Sequence, residues 1–375
     1  MNLDLSDLPV VDGHCHPLLP DPLAVSAGRF VDHFTEARPN AMAGHVPHTS
    51  YFRRALRDLA GRLGTDATVE AVLEGRRREG PEAVRRELIE RRVAALLVDT
   101  GYPPEAMSLS QMRGALPCAI HEVFRIETCA QALIAKSLPY EDFVAGFRQE
   151  LLAATRRAVA LKSVIAYRSG LAIRPWRKDE AAGAYRAVVE RVQRGGSPRL
   201  TEKPLLDSLL EVALLVCRDT GRPLQLHAGF GDPDIDLLQA NPLLLRPLLE
   251  DPRWAEVRLV VLHMSYPYFR EAAFMAAVWP QLYVDLSLAL PFLGPGAVSP
   301  LVEMLSLAPA SKVLYGSDVG GLPELFALAA DWARASIGEA LGWLMERGEL
   351  GAVEARHVAG RIFSENAVSL YRLSI

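Results

Sequence analysis

Residues 8–20 read LPVVDGHCHPLLP. The first six are largely apolar and extended in character, and the run then ends in His14 and His16 with one residue between them. On an extended strand, positions i and i+2 point the same way. A strand here would therefore bring two imidazoles to one side of its C-terminal end. Seven further runs share this texture: Val93–Tyr102, Cys118–Thr128, Ala160–Arg168, Pro223–Gly229, Val257–Ser265, Leu282–Leu290 and Val313–Val319. Each is rich in Val, Leu or Ile over the length of a strand. Near-continuous apolar runs of this kind are what parallel strands, buried on both faces, look like.

Helical patterns lie between the runs. Residues 140–159 and 203–221 carry apolar side chains at helical spacing, and the second segment closes at Gly221, a residue suited to ending a helix. Strands alternating with helices indicate α/β, and eight such units indicate a (β/α)8 TIM barrel. A doubly wound sheet would normally show a glycine-rich phosphate loop after its first strand; this one ends in His-x-His instead. The whole of 1–375 reads as one barrel with helical insertions after strands 1 and 4. The first, 17–92, holds charged helical patterns near Tyr51–Arg62, Thr68–Glu79 and Glu82–Arg92. The second, 168–222, contains the polar loop RGGSPRLTEKP. Insertions at the C-terminal ends of barrel strands commonly cover an active site, so 17–92 is expected to act as a lid.

The bulk properties narrow the classes. A chain of 375 residues with 50% hydrophobic residues can build a large core without staples. Its net charge of −4 gives no basic stripe, so nucleic acid is not an expected partner. The four cysteines, Cys15, Cys118, Cys129 and Cys217, form no C-x-x-C pair, which suits a reducing cytoplasm. The N-terminus lacks the pattern of a signal peptide, and no run of 18 or more apolar residues suggests a membrane span.

Metal-capable groups recur at the strand ends. His227 closes the fifth run, His263 the sixth and Asp318 the eighth, and Lys162 lies in the fourth. In a parallel barrel these ends ring one rim, so ligands distant in sequence can converge on one ion. Tyr167 and Arg168 follow the fourth strand, and Arg suits a substrate carboxylate. Arg125 and Glu127 can also reach the mouth, with Glu127 placed to grip an α-ammonium group.

DGHCH at the first strand, the histidines of the fifth and sixth and the aspartate of the eighth resemble the amidohydrolase superfamily of metal-dependent TIM barrels. LKSVIAYRSGL (161–171), LQLHAGFGDPDIDLLQANP (224–242), VLHMSYPYFREAAFMA (261–276) and SKVLYGSDVGGLPELFALA (311–329) resemble its amidohydrolase-2 branch. Within that branch they look like the hydrolase domain of fluG-type proteins, often fused to or encoded beside a glutamine-synthetase-like enzyme. The resemblance implies a divalent metal, Zn2+ foremost with Mn2+ or Fe2+ as alternatives, on His14, His16, His227 and Asp318. It implies one ion, or two if Lys162 is carbamylated, in which case His263 can be a second-metal ligand. It implies hydrolysis of an amide by metal-activated water, with Asp318 as proton acceptor and His263 polarising the scissile carbonyl. A small carboxylate-bearing substrate such as a γ-glutamyl amide is expected, with a metal-dependent decarboxylase as the alternative. A glutamine-synthetase-like partner and a homo-oligomer are compatible with this reading.

Overall fold

The structure, a computed structural model, describes residues 3–374. Eight parallel strands run in sequence order: β1 (Val10–Cys15), β2 (Val93–Asp99), β3 (Ala119–Arg125), β4 (Ala158–Ser163), β5 (Leu224–Leu226), β6 (Leu259–Val261), β7 (Leu282–Asp285) and β8 (Val313–Leu314). Seven fall inside the apolar runs, and β4 starts two residues before its own, at Ala158. The seam between β8 and β1 is stitched just beyond the short last strand. There Gly13 N donates to Tyr315 O (2.9 Å), Asp318 N to His14 O (2.8 Å) and His16 N to Val319 O (2.7 Å). Helices cover the outside, and the chain is a TIM barrel.

Alternate strand residues turn inward. Val11, Ala95, Leu97, Val123, Ala160, Val260, Leu262 and Leu314 form one buried cluster, joined by Ala367, Leu370 and Tyr371 of the C-terminal helix. Several strands are shorter than their apolar runs. β6 stops at Val261, and His263, Met264 and Ser265 then follow in a tight turn, all with positive φ (64°, 53° and 50°). β8 likewise gives way to Asp318 at φ 61°. Leaving the ladder early lets the chain turn these polar side chains into the barrel mouth. L-residues rarely accept that backbone, and such strain collects at functional sites.

The first insertion holds three helices. α1 (Ala27–Asp32) starts at Ser26, whose side chain caps Arg29 N. α2 (Ser50–Leu63) starts at Thr49 and stops at left-handed Gly64. α3 (Val69–Glu90) is broken at Gly80 (φ 67°) and Pro81, where the sequence pattern divided. The second insertion forms the helices Lys178–Gln193 and Lys203–Thr220, the latter ending at Gly221 (φ 66°). Residues 289–307 are long and apolar enough to pass as a membrane span by composition, which a reading by uninterrupted apolar runs overlooked. They are divided by a tight turn at Gly294–Ala297 into two short helices, whose Leu290, Leu301 and Met304 lie in the barrel's outer core.

Candidate active site

β1 ends in His14 and His16, whose rings lie edge to face at 5.3 Å between centroids. Hydrogen bonds decide which nitrogen each ring offers. His14 Nδ1 lies 2.9 Å from Gln225 Oε1, while Gln225 Nε2 faces Gly13 O at 2.8 Å and Tyr371 Oη at 2.9 Å. A carbonyl can only accept, so Gly13 sets the orientation of the Gln225 amide, and Oε1 must accept from His14 Nδ1–H. His16 Nδ1 likewise donates to Tyr102 O (3.2 Å). With Nδ1–H so committed, each ring presents the lone pair of its Nε2.

Both Nε2 atoms face one carboxylate oxygen. Asp318 Oδ1 is 3.1 Å from His14 Nε2 and 3.4 Å from His16 Nε2. Burial opposes the charge on Asp318, yet the neighbouring imidazoles, His263 foremost, hold the carboxyl well below its usual range. Burial also lowers His14 to about 4, so its ring is neutral near pH 7. Three lone pairs thus point at one another, an arrangement that favours a cation between them. Ligand bonds of about 2.0–2.1 Å in a tetrahedron put neighbouring donors roughly 3.3 Å apart, and the observed separations match. The site fits a divalent metal. Among the described residues, His14, His16 and Asp318 form a group whose ligand atoms all lie within 4.8 Å of one another.

His227 stands beside this group rather than in it. Its Nδ1 faces His263 Nε2 at 3.0 Å, and His263 Nδ1 meets Ser287 Oγ at 2.9 Å. Ser287 in turn bonds Asp285. Burial lowers both histidines well below their ordinary value. His227 Nε2 is buried without a partner. With both nitrogens engaged, His263 offers no atom to a substrate carbonyl in this arrangement, contrary to the role expected of it. It braces His227 instead. Lys162, 1% exposed, lies between the two groups with Nζ 3.4 Å from His14 Nε2. Burial lowers it to about 8, with Asp99 opposing.

The residues expected to meet substrate divide. Tyr167 lies against His227, their rings tilted by 46° with centroids 4.2 Å apart, and its hydroxyl accepts from Asp232 N (3.3 Å). Arg168 is half-buried and its Nη1 has no partner. Arg125 is committed to Asp99, with contacts of 2.6, 3.1 and 3.2 Å, so its charge is already met. Glu127 is buried inside the wall, its Oε1 accepting from Ser163 Oγ (2.6 Å) and Val164 N (3.0 Å). It shapes the loop after β4 through that oxygen, and its Oε2 is buried without a partner.

Gln225, Asp99, Asp285 and Ser287 were not foreseen. Gln225 was within reach, since it precedes His227 by two positions on β5 and shares its side of the strand. Glu36 was not. It lies in the first insertion, where no periodicity marks it, yet it sits close enough to feel the charges of Asp318 and Asp232.

Comparison with known proteins agrees with this fold. The Amidohydro_2 family profile, described as amidohydrolase, matches residues 143–373. Protein fluG of Emericella nidulans is 27% identical over 399 aligned positions, covering 98% of this chain and 46% of fluG, so the chain spans about half the length of that relative. A crystal structure from Lactobacillus casei, provisionally called a metal-dependent hydrolase, superposes with a TM-score of 0.87 at 28% identity, covering 99% of this chain and 98% of that one. Uronate isomerase of Thermotoga maritima shares the fold at a TM-score of 0.69 and 14% identity, over 98% and 95% of the two chains. A barrel rim with donors arranged for a divalent ion, matched by this profile over more than half the sequence, belongs to the amidohydrolase family, and the chain is a metal-dependent hydrolase of that family.

Proposed function

We propose that the protein cleaves an amide bond in a small substrate bearing a free carboxylate, such as a γ-glutamyl amide. The observation that carries this reading is the convergence of His14 Nε2, His16 Nε2 and Asp318 Oδ1, beside a half-buried Arg168 with an unpartnered Nη1. A divalent ion held there, zinc foremost with manganese or iron as alternatives, would supply Lewis acidity and lower the pKa of water toward neutrality. Asp318 is ionised and positioned to accept the water's proton and return it to the leaving amine. His227, braced by His263, offers a further donor. Lys162 keeps an appreciable neutral-amine fraction near pH 8, the form that takes up carbon dioxide; carbamylation would make the site binuclear. Arg168 pairs with the substrate carboxylate. The first insertion, carrying Glu36 and Tyr51 close to Asp318, serves as the lid. The fluG likeness makes a glutamine-synthetase-like enzyme the partner to test first, and cytoplasmic placement goes with that reading.

The test is a substrate panel of γ-glutamyl amides, other N-acyl amino acids and neutral esters, with metal content measured with and without bicarbonate. Arg168→Ala should lower kcat/KM for carboxylate-bearing amides by roughly 30-fold or more, the scale of a lost charge partner at a partly buried site, and change neutral esters little. Equal loss across the panel would make Arg168 structural. Turnover confined to an acid that releases carbon dioxide would replace the hydrolase by a decarboxylase.

A further inference from the structure

The turn after β4 runs from Ser163 to Arg168 and is closed by Arg168 N donating to Ile165 O (2.9 Å). Contacts with His227 fix it at both ends. Ser163 O accepts from His227 N (3.1 Å), and the rings of Tyr167 and His227 lie 4.2 Å apart between centroids. Lys162, one residue before the turn, has its Nζ 3.4 Å from His14 Nε2. The turn therefore borders the group that fits a metal.

Two charged groups on this turn are left incomplete. Glu127 joins it from the start of the helix Ile126–Ile134. Its Oε1 is held by Ser163 Oγ (2.6 Å) and Val164 N (3.0 Å), which fixes the carboxylate in place. Its Oε2 has no partner, although the residue is only 3% exposed. Burial raises this carboxyl, and the bond from Ser163 opposes the rise. A carboxylate oxygen kept from water without a donor is costly. Arg125 cannot supply the donor, since its guanidinium is bound to Asp99. At the far end of the turn Arg168 Nη1 is also buried without a partner. The charge of Glu127 reaches Arg168, yet the two form no ion pair. An acid and an arginine thus stand on one turn, each with an unmet atom, without touching.

We infer that Glu127 Oε2 and Arg168 together hold the zwitterionic end of an α-amino-acid-like substrate, its ammonium group at the acid and its carboxylate at the guanidinium. An α-amino acid carries both charges on one carbon, so its receptor needs an acid and an arginine close together but not neutralising each other, as they stand here. The inference rests on the proposed reading of the site, which it narrows from carboxylates to amino acids. It keeps Glu127 as the ammonium contact and assigns the carboxylate to Arg168 alone, Arg125 being committed to Asp99.

The experiment measures calorimetric binding of three probes to the zinc-loaded protein: L-glutamate, glutarate, which lacks the ammonium group, and 4-aminobutyrate, which lacks the α-carboxylate. All three keep the distal carboxylate, so any contact it makes cancels in the comparison. The wild type should bind glutamate at least about tenfold more tightly than either, the scale of one hydrogen-bonded charge partner. In Glu127→Gln the amide oxygen can still accept from Ser163 and Val164, so the tie to the turn is kept while the charge is removed. That variant should lose most of the preference over glutarate and keep the preference over 4-aminobutyrate. Arg168→Gln should do the reverse. A residue that only holds the turn would weaken all three probes together. Equal binding of glutamate and glutarate by the wild type overturns the inference, as does an equal loss on all probes in Glu127→Gln, or a preference that this variant leaves intact. If Glu127→Gln does not fold, Arg168→Gln decides, and a preference over 4-aminobutyrate that survives it overturns the inference. If no amide in the panel is cleaved yet the two preferences depend on Glu127 and Arg168, the proposed reaction fails and the amino-acid site stands. If γ-glutamyl amides are cleaved while glutamate and glutarate bind alike, the reaction stands and the amino-acid site fails.

Discussion

Gln225 shows how much one side chain decides. It lies wholly buried on β5 and makes three contacts at once, to His14 Nδ1, Gly13 O and Tyr371 Oη. Through the first it keeps the lone pair of His14 on Nε2; through the second it ties β5 to β1 across the barrel. Outer partners of this kind typically affect metal affinity by roughly 10–100-fold. Gln225→Leu should therefore weaken zinc binding on that scale, measured by competition with a chromophoric chelator. It also strands a buried carbonyl and hydroxyl, so urea unfolding of the metal-free protein should show a loss of about 1–3 kcal/mol. Unchanged zinc affinity would mean that Gln225 only packs. The histidines and Asp318 were readable as ligands because their side chains declare their chemistry. Spacing from His227 could place Gln225 on the same side of the strand but not give its role, because an amide gains this role only when a particular carbonyl and imidazole stand on either side of it.

At the level of elements, the first insertion must be held in register with the barrel if it is to cover the site. One tie is a buried ion pair, Arg76 of α3 with Glu324 at the start of the helix Glu324–Glu346; the two residues are 3% and 7% exposed. Arg76 also donates to Pro22 O (2.7 Å). Removing one partner of such a pair leaves a buried charge uncompensated, which costs about 3–5 kcal/mol. Glu324→Ala should lose that much in urea unfolding, and Glu324→Gln, which keeps a hydrogen-bonding group, should lose less. A loss below about 1 kcal/mol would place the pair with ordinary surface contacts. The helices of this insertion were legible from charge pattern and from the Gly80–Pro81 break. Their seat on the helix Glu324–Glu346 was not, since it joins segments some 250 residues apart and depends on how the barrel closes.

For the whole molecule, burial of titratable groups sets a pH dependence that the metal-free protein should display. Burial lowers His14 to about 4 and holds His227 and His263 well below 6.5, their value in the unfolded chain. The unfolded state binds more protons at these positions, so their contribution is complete above pH 6.5 and is lost as pH falls below it. Asp12 and Asp285 act in the opposite sense. Burial raises them to about 8 and about 7 from 3.8, so the folded state keeps protons the unfolded state has released. Their contribution falls as pH rises through that window, each by at most about 1.4 kcal/mol per pH unit. Glu36, raised to about 8, adds to this slope. Between pH 4 and 6.5 the two sets offset each other; between 6.5 and 8 the acids dominate, with Lys162, lowered to about 8, opposing them only near the top of that window. Urea unfolding of chelator-treated protein should therefore give a lower stability at pH 8 than at pH 6.5, and a rise would contradict these assignments.

The amino-acid pattern alone determined the barrel, because eight apolar runs buried on both faces leave few other ways to arrange parallel strands. It also determined which residues could hold a metal, because strand ends in such a barrel share one rim. Only the tertiary structure decided how those residues divide. His14, His16 and Asp318 meet across the β1–β8 seam, while His227 pairs with His263, because seam hydrogen bonds and positive-φ turns aim the side chains. It alone sent Arg125 to Asp99 and Glu127 to Ser163, because a buried charge takes whichever partner the neighbouring strand presents. And it alone seated the first insertion on the helix Glu324–Glu346 through Arg76 and Glu324, since nothing in a helix's charge pattern records which distant surface it will meet.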